Sequence, residues 1–282
     1  MSSKNFSKYL VISAFALMAT IFIVLFETDF SNFVLNNREV TSQKLLNARN
    51  HLSFLLNQEK MKSGQLECNI KDKKQAGRGV LEEQVSVSGG YCQEEGSIAK
   101  RNNTKMRDTE LAKHVSSFLK GSNVGAFGDG PGLYKEYYDK TGLLNLYDAY
   151  DGAPFVETET KGTTKFLDLS IPQYGLPIYD WVISLEVAEH IPQQYEEVFI
   201  SSLVRHAKTG IILSWAVPGQ TGHFHVNNKP LDLVVQLLKK YGFEREEKMS
   251  KSLQANARNK ALKANTNIYL RSENFPIDVD DA

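Results

Sequence analysis

The chain has no surplus of either charge: 33 Lys and Arg balance 33 Asp and Glu over 282 residues. A nucleic-acid surface normally needs a basic stripe. Clusters such as Lys71-Asp72-Lys73-Lys74 are short and read as a solvated face, so no nucleic-acid partner is expected. Cysteine is nearly absent. Cys68 and Cys92 form no Cys-x-x-Cys and have no paired histidine nearby, which excludes a zinc signature. Internal repeats are absent. Long apolar runs are also lacking, with one exception at the N-terminus.

That exception is Tyr9 to Phe26, 18 residues without a charge. As a helix it spans about 27 Å, close to the roughly 30 Å of a bilayer core. Lys4 and Lys8 precede it and Glu27 and Asp29 follow, so the positive-inside bias leaves residues 1–8 in the cytoplasm and carries the rest across. A cleaved signal peptide would have an apolar core of about 7–15 residues and a small-residue cleavage site; Val24-Leu25-Phe26-Glu27 offers none. The expectation is an uncleaved signal anchor over 9–26 and a single-pass type II protein of the endoplasmic reticulum or Golgi, its bulk lumenal.

Residues 27–100 read as a stem. Val40, Leu45, Leu52, Leu55 and Leu56 recur at roughly helical spacing, predicting a helix over 39–62 that serves as a stalk or a short dimerising coil. From Lys62 to Arg101 the composition is polar and glycine-bearing, which reads as a linker or an irregular cap. Two readings stay open for Cys68 and Cys92: one disulfide, as an oxidising lumen permits, or two free thiols. Asn102-Asn103-Thr104 is an N-glycosylation acceptor pattern in the same region.

The most informative stretch is Val124-Gly125-Ala126-Phe127-Gly128-Asp129-Gly130-Pro131-Gly132, followed by a helix start at Leu133. An apolar strand that ends in glycines and turns into a helix lets a ligand approach bare backbone, with the helix N-terminal amides behind it. The spacing is G-x-G-x-G rather than the dinucleotide G-x-G-x-x-G, which favours a cofactor without a pyrophosphate. Leu143 to Gly152 reads as a second strand. Its Asp151 lies 19 residues beyond Gly132, where a carboxylate can accept from both hydroxyls of a ribose. Thr164–Leu169, Tyr179–Glu186 and Gly210–Trp215 read as three further strands. The alternation with helical patterns predicts an α/β, Rossmann-like, mostly parallel seven-stranded sheet with helices on both faces. Leu231–Tyr241 reads as an amphipathic helix stopped by Gly242. Phe243–Met249 and Asn267–Arg271 read as the last two strands, with 250–264 helical between them.

From about residue 107 to 272 the chain resembles a class I S-adenosylmethionine-dependent methyltransferase. The pieces that carry this are the Phe127-to-Gly132 loop, Asp151, the Asp168-Leu169 pair and, most specifically, Tyr179-Asp180-Trp181-Val182-Ile183-Ser184-Leu185-Glu186-Val187-Ala188-Glu189-His190-Ile191-Pro192. The resemblance implies S-adenosylmethionine as methyl donor. It places Phe127, Gly128, Asp129, Gly130 and Gly132 at its methionine part, Asp151 and Gly152 at the ribose, Asp168 and Leu169 at the adenine, and Glu186 in the same site. It also implies that the last two strands form an antiparallel edge pair, with the helix between them near the substrate mouth. One departure is Ala126, where many members of the family carry Asp or Glu; Asp129 is the acidic group left in the loop. The expected layout is a methyltransferase domain over 101–273 and a disordered acidic tail over 274–282.

Transfer from a sulfonium is an in-line displacement that needs alignment and exclusion of water, with a general base where the acceptor is a hydroxyl or an ammonium. The candidates are Glu189 and His190 after the fourth strand, and His223 and His225 in the loop after the fifth. On an extended segment the last two share one side. A His-x-His pair beside Glu189 or Asn227 can also hold a divalent ion, but no metal is assigned. The acceptor is a sugar, lipid headgroup, protein side chain or small metabolite. Competing readings are a non-catalytic scaffold that keeps the fold and a type II anchored glycosyltransferase. The sole Asp-x-Asp of the chain, Asp278-Val279-Asp280, lies in the tail.

Overall fold

The computed structural model describes residues 42–75, 84–85, 90–92 and 107–277. The predicted anchor over 9–26, the Asn102 glycosylation pattern and Asp278–Asp281 lie outside these residues. Among the described residues no helix is long and apolar enough to cross a membrane. Two compact units divide the chain, Met1–Ala48 and Arg49–Ala282. Of the first, residues 42–48 are described, and they are helical.

The centre of the second unit is a seven-stranded sheet built from β3 (Asn123–Phe127), β4 (Leu146–Asp151), β5 (Thr164–Phe166), β6 (Tyr179–Ser184), β7 (Ala207–Leu213), β8 (Phe243–Glu246) and β9 (Asn267–Arg271). A separate antiparallel pair joins β1 (Gln84–Val85) to β2 (Tyr91–Cys92). The large sheet runs β5-β4-β3-β6-β7-β9-β8. The first five strands in that order pair in parallel, while β9 is antiparallel to both β7 and β8. This is the predicted mostly parallel sheet with an antiparallel edge. Several strands stop earlier than their apolar runs suggest. β6 ends at Ser184 and β7 at Leu213, because the chain then peels off into loops. β8 ends at Glu246, which caps the following helix by accepting from Lys248 N.

Strands buried on both faces need helices on both. On one face α5 (Glu196–His206) and α6 (Leu231–Lys240) cover a core that includes Phe127, Tyr179, Phe199, Leu203, Trp215, Leu238 and Phe243. On the other face four helices cover Leu111, Val115, Ala126, Tyr138, Trp181, Leu253, Leu262 and Ile268. They are α2 (Thr109–Phe118), α3 (Leu133–Thr141), α7 (Glu247–Asn256) and α8 (Lys260–Asn265). The short α4 (Val156–Glu159) follows β4. Chain order reverses between β3 and β6, so the carboxyl ends of these two strands open a crevice.

Helix α1 (Ser42–Gln75) extends 13 residues past the predicted end at 62. Nor are the leucines its attachment. Leu55 and Leu56 are exposed, whereas Ser53, Asn57, Gly64 and Cys68 are buried along one face. The surface they meet follows β4 and β5 and is largely polar, with an apolar patch where Met61 packs against Ala153, Val156 and Phe166. Asn57 Oδ1 accepts from Asp168 N at 3.0 Å, and Asn57 Nδ2 donates to Gln173 Oε1 at 2.7 Å. Ser53 Oγ accepts from Tyr174 N at 3.1 Å, and Gln65 Nε2 donates to Pro154 O at 2.8 Å. Small polar residues fit that seam because buried amides and carbonyls must be satisfied. The two cysteines are joined, Cys68 on α1 to Cys92 on β2.

Candidate active site

The glycine loop after β3 is fastened to β4. Gly128 N and Asp129 N both donate to Tyr150 O, at 2.8 and 2.9 Å. Gly130 N donates to Asp151 Oδ2 at 2.8 Å, and Ala153 N donates to Asp151 Oδ1 at 2.8 Å. Gly128 and Gly130 take φ of +100° and +61°, values that L side chains rarely adopt. Loop and carboxylate thus form one unit at the tips of neighbouring strands. Burial holds the Asp151 carboxyl above its ordinary pKa, opposed by the Ala153 and Gly130 amides.

A cavity of about 240 Å³ opens beside this unit. Its wall includes Gly128, Asp129, Gly130, Asp151, Gly152, Leu169, Glu186 and His190 from the sequence-predicted set. Phe127, Gly132 and Asp168 are not in that wall. Phe127 is fully buried in the core, and its carbonyl accepts from Ser184 Oγ at 2.7 Å. Gly132 is the N-cap of α3. Asp168 Oδ1 accepts from both Ser170 N and Ser170 Oγ and its amide is taken by Asn57, while Oδ2 is buried with no hydrogen-bond partner among the described residues. Leu167 and Leu169, on either side, are the residues that face the cavity.

Other wall residues were placed by the sequence only as regions. Gly90 and Tyr91 come from the stretch read as a linker or an irregular cap, and Asn259 and Leu262 from the region of α8, expected near the substrate mouth. Gly90 lies against the backbone of Gly152, so closely that any Cβ would overlap the Gly152 carbonyl. The Cys68–Cys92 bond pins this strand next to the cavity. That bond is the one signal that marks Tyr91, and the sequence alone leaves the pairing open.

Acidic groups crowd the wall. Asp129 Oδ1 accepts from Tyr147 OH at 2.7 Å and Oδ2 from Lys135 N at 3.3 Å. Burial nevertheless pushes its pKa up to about 7, with the nearby Asp151 adding to the rise. Ala126 sits in the core at 2% exposure, so Asp129 is the loop's only carboxylate. Glu186 has φ of +56°, a strained conformation for a non-glycine residue. Its amide donates to Ser214 Oγ at 2.7 Å, and that hydroxyl donates back to Glu186 Oε1 at 2.8 Å. Burial raises the Glu186 pKa.

Next to this wall, Glu189, His190 and His225 converge, their ligand atoms all within 4.8 Å of one another. Glu189 is fully buried, and among the described residues no donor reaches hydrogen-bond geometry on either carboxylate oxygen. Burial and then the neighbouring Glu186 raise its pKa to about 8, offset only in part by the Glu189 and Ala216 amides. His190 Nδ1 lies 3.2 Å from Phe224 O, which can only accept, so Nδ1 carries the proton. Burial and the nearby His225 lower the His190 pKa to about 4, keeping the ring neutral. The structure does not bring His223 into this group. The chain turns at His223-Phe224, where Phe224 has φ of +56°, so the alternation expected of an extended segment is lost. His223 is exposed and packs on Phe224, while its carbonyl accepts from Tyr91 OH at 3.4 Å.

No family model matches the chain, and no curated protein matches it. Solved structures do match. The sugar N-methyltransferase KedS8 from Streptoalloteichus sp ATCC 53650 is 12% identical, and the match covers 69% of this chain and 99% of that one with a TM-score of 0.51. Magnesium protoporphyrin IX methyltransferase (ChlM) from Synechocystis PCC 6803, solved with bound SAM, is 19% identical over 76% of this chain and 97% of that one, with a TM-score of 0.46. At 12% identity the likeness to KedS8 is one of fold. Together with the strand order it gives this chain the Rossmann-like fold of class I methyltransferases.

Proposed function

We propose that this protein is an S-adenosylmethionine-dependent methyltransferase. The observation that carries the reading is the joint construction of the glycine loop and Asp151 at the switch point of the sheet, opening on a cavity. In this reading the bare backbone of Gly128–Gly130 receives the methionine part of the donor. The remaining lone pairs of Asp151 accept from the ribose hydroxyls, and Leu167 and Leu169 flank the adenine. The donor supplies a methyl group already activated by the sulfonium charge. Asp129, Asp151 and Glu186 favour a cationic ligand in their midst. Gly90 and Tyr91, tied down by the disulfide, exclude water from one side of the cavity. His190, neutral and held by the Phe224 carbonyl, faces the cavity from the acceptor end.

The reading extends to cellular placement. We propose that Tyr9–Phe26 anchors the chain in a membrane and that the folded unit works on the lumenal side, on a glycan, lipid, protein or small-molecule acceptor. The apolar run supports the first part and the Cys68–Cys92 bond the second, because such bonds persist in oxidising compartments. Calorimetric titration of the full-length chain with S-adenosylhomocysteine tests the enzymatic reading. One binding site per chain is expected; no heat of binding at millimolar ligand would refute it.

A further inference from the structure

We infer that Glu189, His190 and His225 form a binding site for a divalent first-row transition-metal ion. The three side chains come from two loops, one after β6 and one after β7, and these loops are sewn together: Val226 N and Asn227 N both donate to Glu189 O, at 2.9 and 3.0 Å. Burying a carboxylate without a hydrogen-bond donor is costly, and a folded chain pairs it, neutralises it or gives it a metal. Glu189 is at 0% exposure with both oxygens unpartnered among the described residues. The nearest cationic candidate, His225 Nε2, lies 3.9 Å from Glu189 Oε1, beyond hydrogen-bond reach.

The histidines are presented as ligands. The Phe224 carbonyl fixes the proton of His190 on Nδ1, which leaves the Nε2 lone pair free; metal-bound imidazoles are commonly oriented by such a contact. The His225 ring rests against Gly222, where any side chain would overlap it. Ligand atoms at 2.0–2.1 Å from one tetrahedral ion are separated by about 3.4 Å. A cluster already within 4.8 Å therefore closes on an ion by side-chain adjustment. Two imidazoles and one carboxylate select zinc, cobalt, manganese or ferrous iron over magnesium or calcium, and three protein ligands leave a position open. Because His190 and Glu186 belong to the cavity wall, that position is reached from the cavity. On the methyltransferase reading, on which this last step rests, an oxygen of the acceptor would fill it.

The test is titration of the untagged, full-length, disulfide-bonded chain with Co²⁺, followed by its visible absorption, with Zn²⁺ as competitor. One equivalent is expected to bind. Glu189→Gln and His225→Ala should each weaken binding by about tenfold or more, whereas His223→Ala should bind as the parent does. Glu189→Gln keeps the side-chain shape and removes the carboxylate ligand, so near-ultraviolet circular dichroism should show it folded. Absence of a stoichiometric cobalt spectrum, or unchanged affinity in folded Glu189→Gln, overturns the inference. S-adenosylhomocysteine titrated into the same samples separates the two questions: a chain that binds cobalt and not the nucleoside keeps the metal site and loses the enzymatic reading.

Discussion

The amide of Gly130 donates to the carboxylate of Asp151 across 2.8 Å, joining the loop after β3 to the tip of β4. One side chain therefore shapes the glycine loop and offers its other lone pairs to the cavity. Asp151→Ala removes both functions and should weaken S-adenosylhomocysteine binding by about 1–3 kcal/mol. Asp151→Asn, which keeps one carbonyl oxygen, should lose less. Calorimetry on the two variants measures the order, and equal affinity in Asp151→Ala would remove this residue from the site.

Gly128 and Gly130 should fail differently when given a side chain. At Gly128 a Cβ would overlap Val187, so Gly128→Ala should lower stability as well as binding. At Gly130 a Cβ meets no protein atom within 4 Å. Gly130→Ala bears only the cost of its positive φ, about 1 kcal/mol, and should stay folded while losing the ligand. Thermal melts read beside nucleoside titrations distinguish the two; equal melting losses would contradict the geometry.

Asp129 sets a pH dependence. Its folded-state pKa of about 7 lies above the ordinary value of 3.8, so the folded state binds the proton more tightly. That stability is fully present below about pH 4 and is lost as pH rises through 7. Asp129→Asn should therefore gain stability relative to the parent between pH 5 and pH 8. A gain of about 1–2 kcal/mol is expected, less than the full 1.4 kcal/mol per unit because the group borders the solvent of the cavity. Urea denaturation at the two pH values checks the sign.

Reducing the Cys68–Cys92 bond should affect the cavity as well as the fold. The bond closes a loop over a sequence separation of 24, for which chain entropy gives about 3 kcal/mol. Cys92 adjoins Tyr91 and Gly90 of the cavity wall. Cys92→Ser should thus melt lower and bind S-adenosylhomocysteine more weakly. Unchanged nucleoside affinity in a destabilised variant would assign the bond to stability alone.

The parts legible in the sequence were those encoded locally. Strand, glycine turn and helix follow one another from Val124 to Tyr138, and Asp151 stands at a fixed distance further on. The Glu186-to-Pro192 run likewise carries its own pattern. The rest depends on distant partners. Asn57 meets Gln173 across 116 residues, and nothing periodic marks a helix face made of Ser53, Asn57, Gly64 and Cys68. Leu45, Leu55 and Leu56, which help set the apparent helical period, are exposed instead. Asp168 occupies the position expected to contact adenine; Ser170 and Asn57 take its Oδ1 and its amide, and Oδ2 is left without a partner among the described residues. Alternation pairs His223 with His225, and the turn at Phe224 breaks it.

The most direct test is a crystal structure of the full-length chain grown with S-adenosylhomocysteine. The account predicts the ribose hydroxyls on Asp151, the adenine between Leu167 and Leu169, and the sulfur directed toward His190. A nucleoside seated elsewhere, or a cavity that stays empty at saturating ligand, would contradict it.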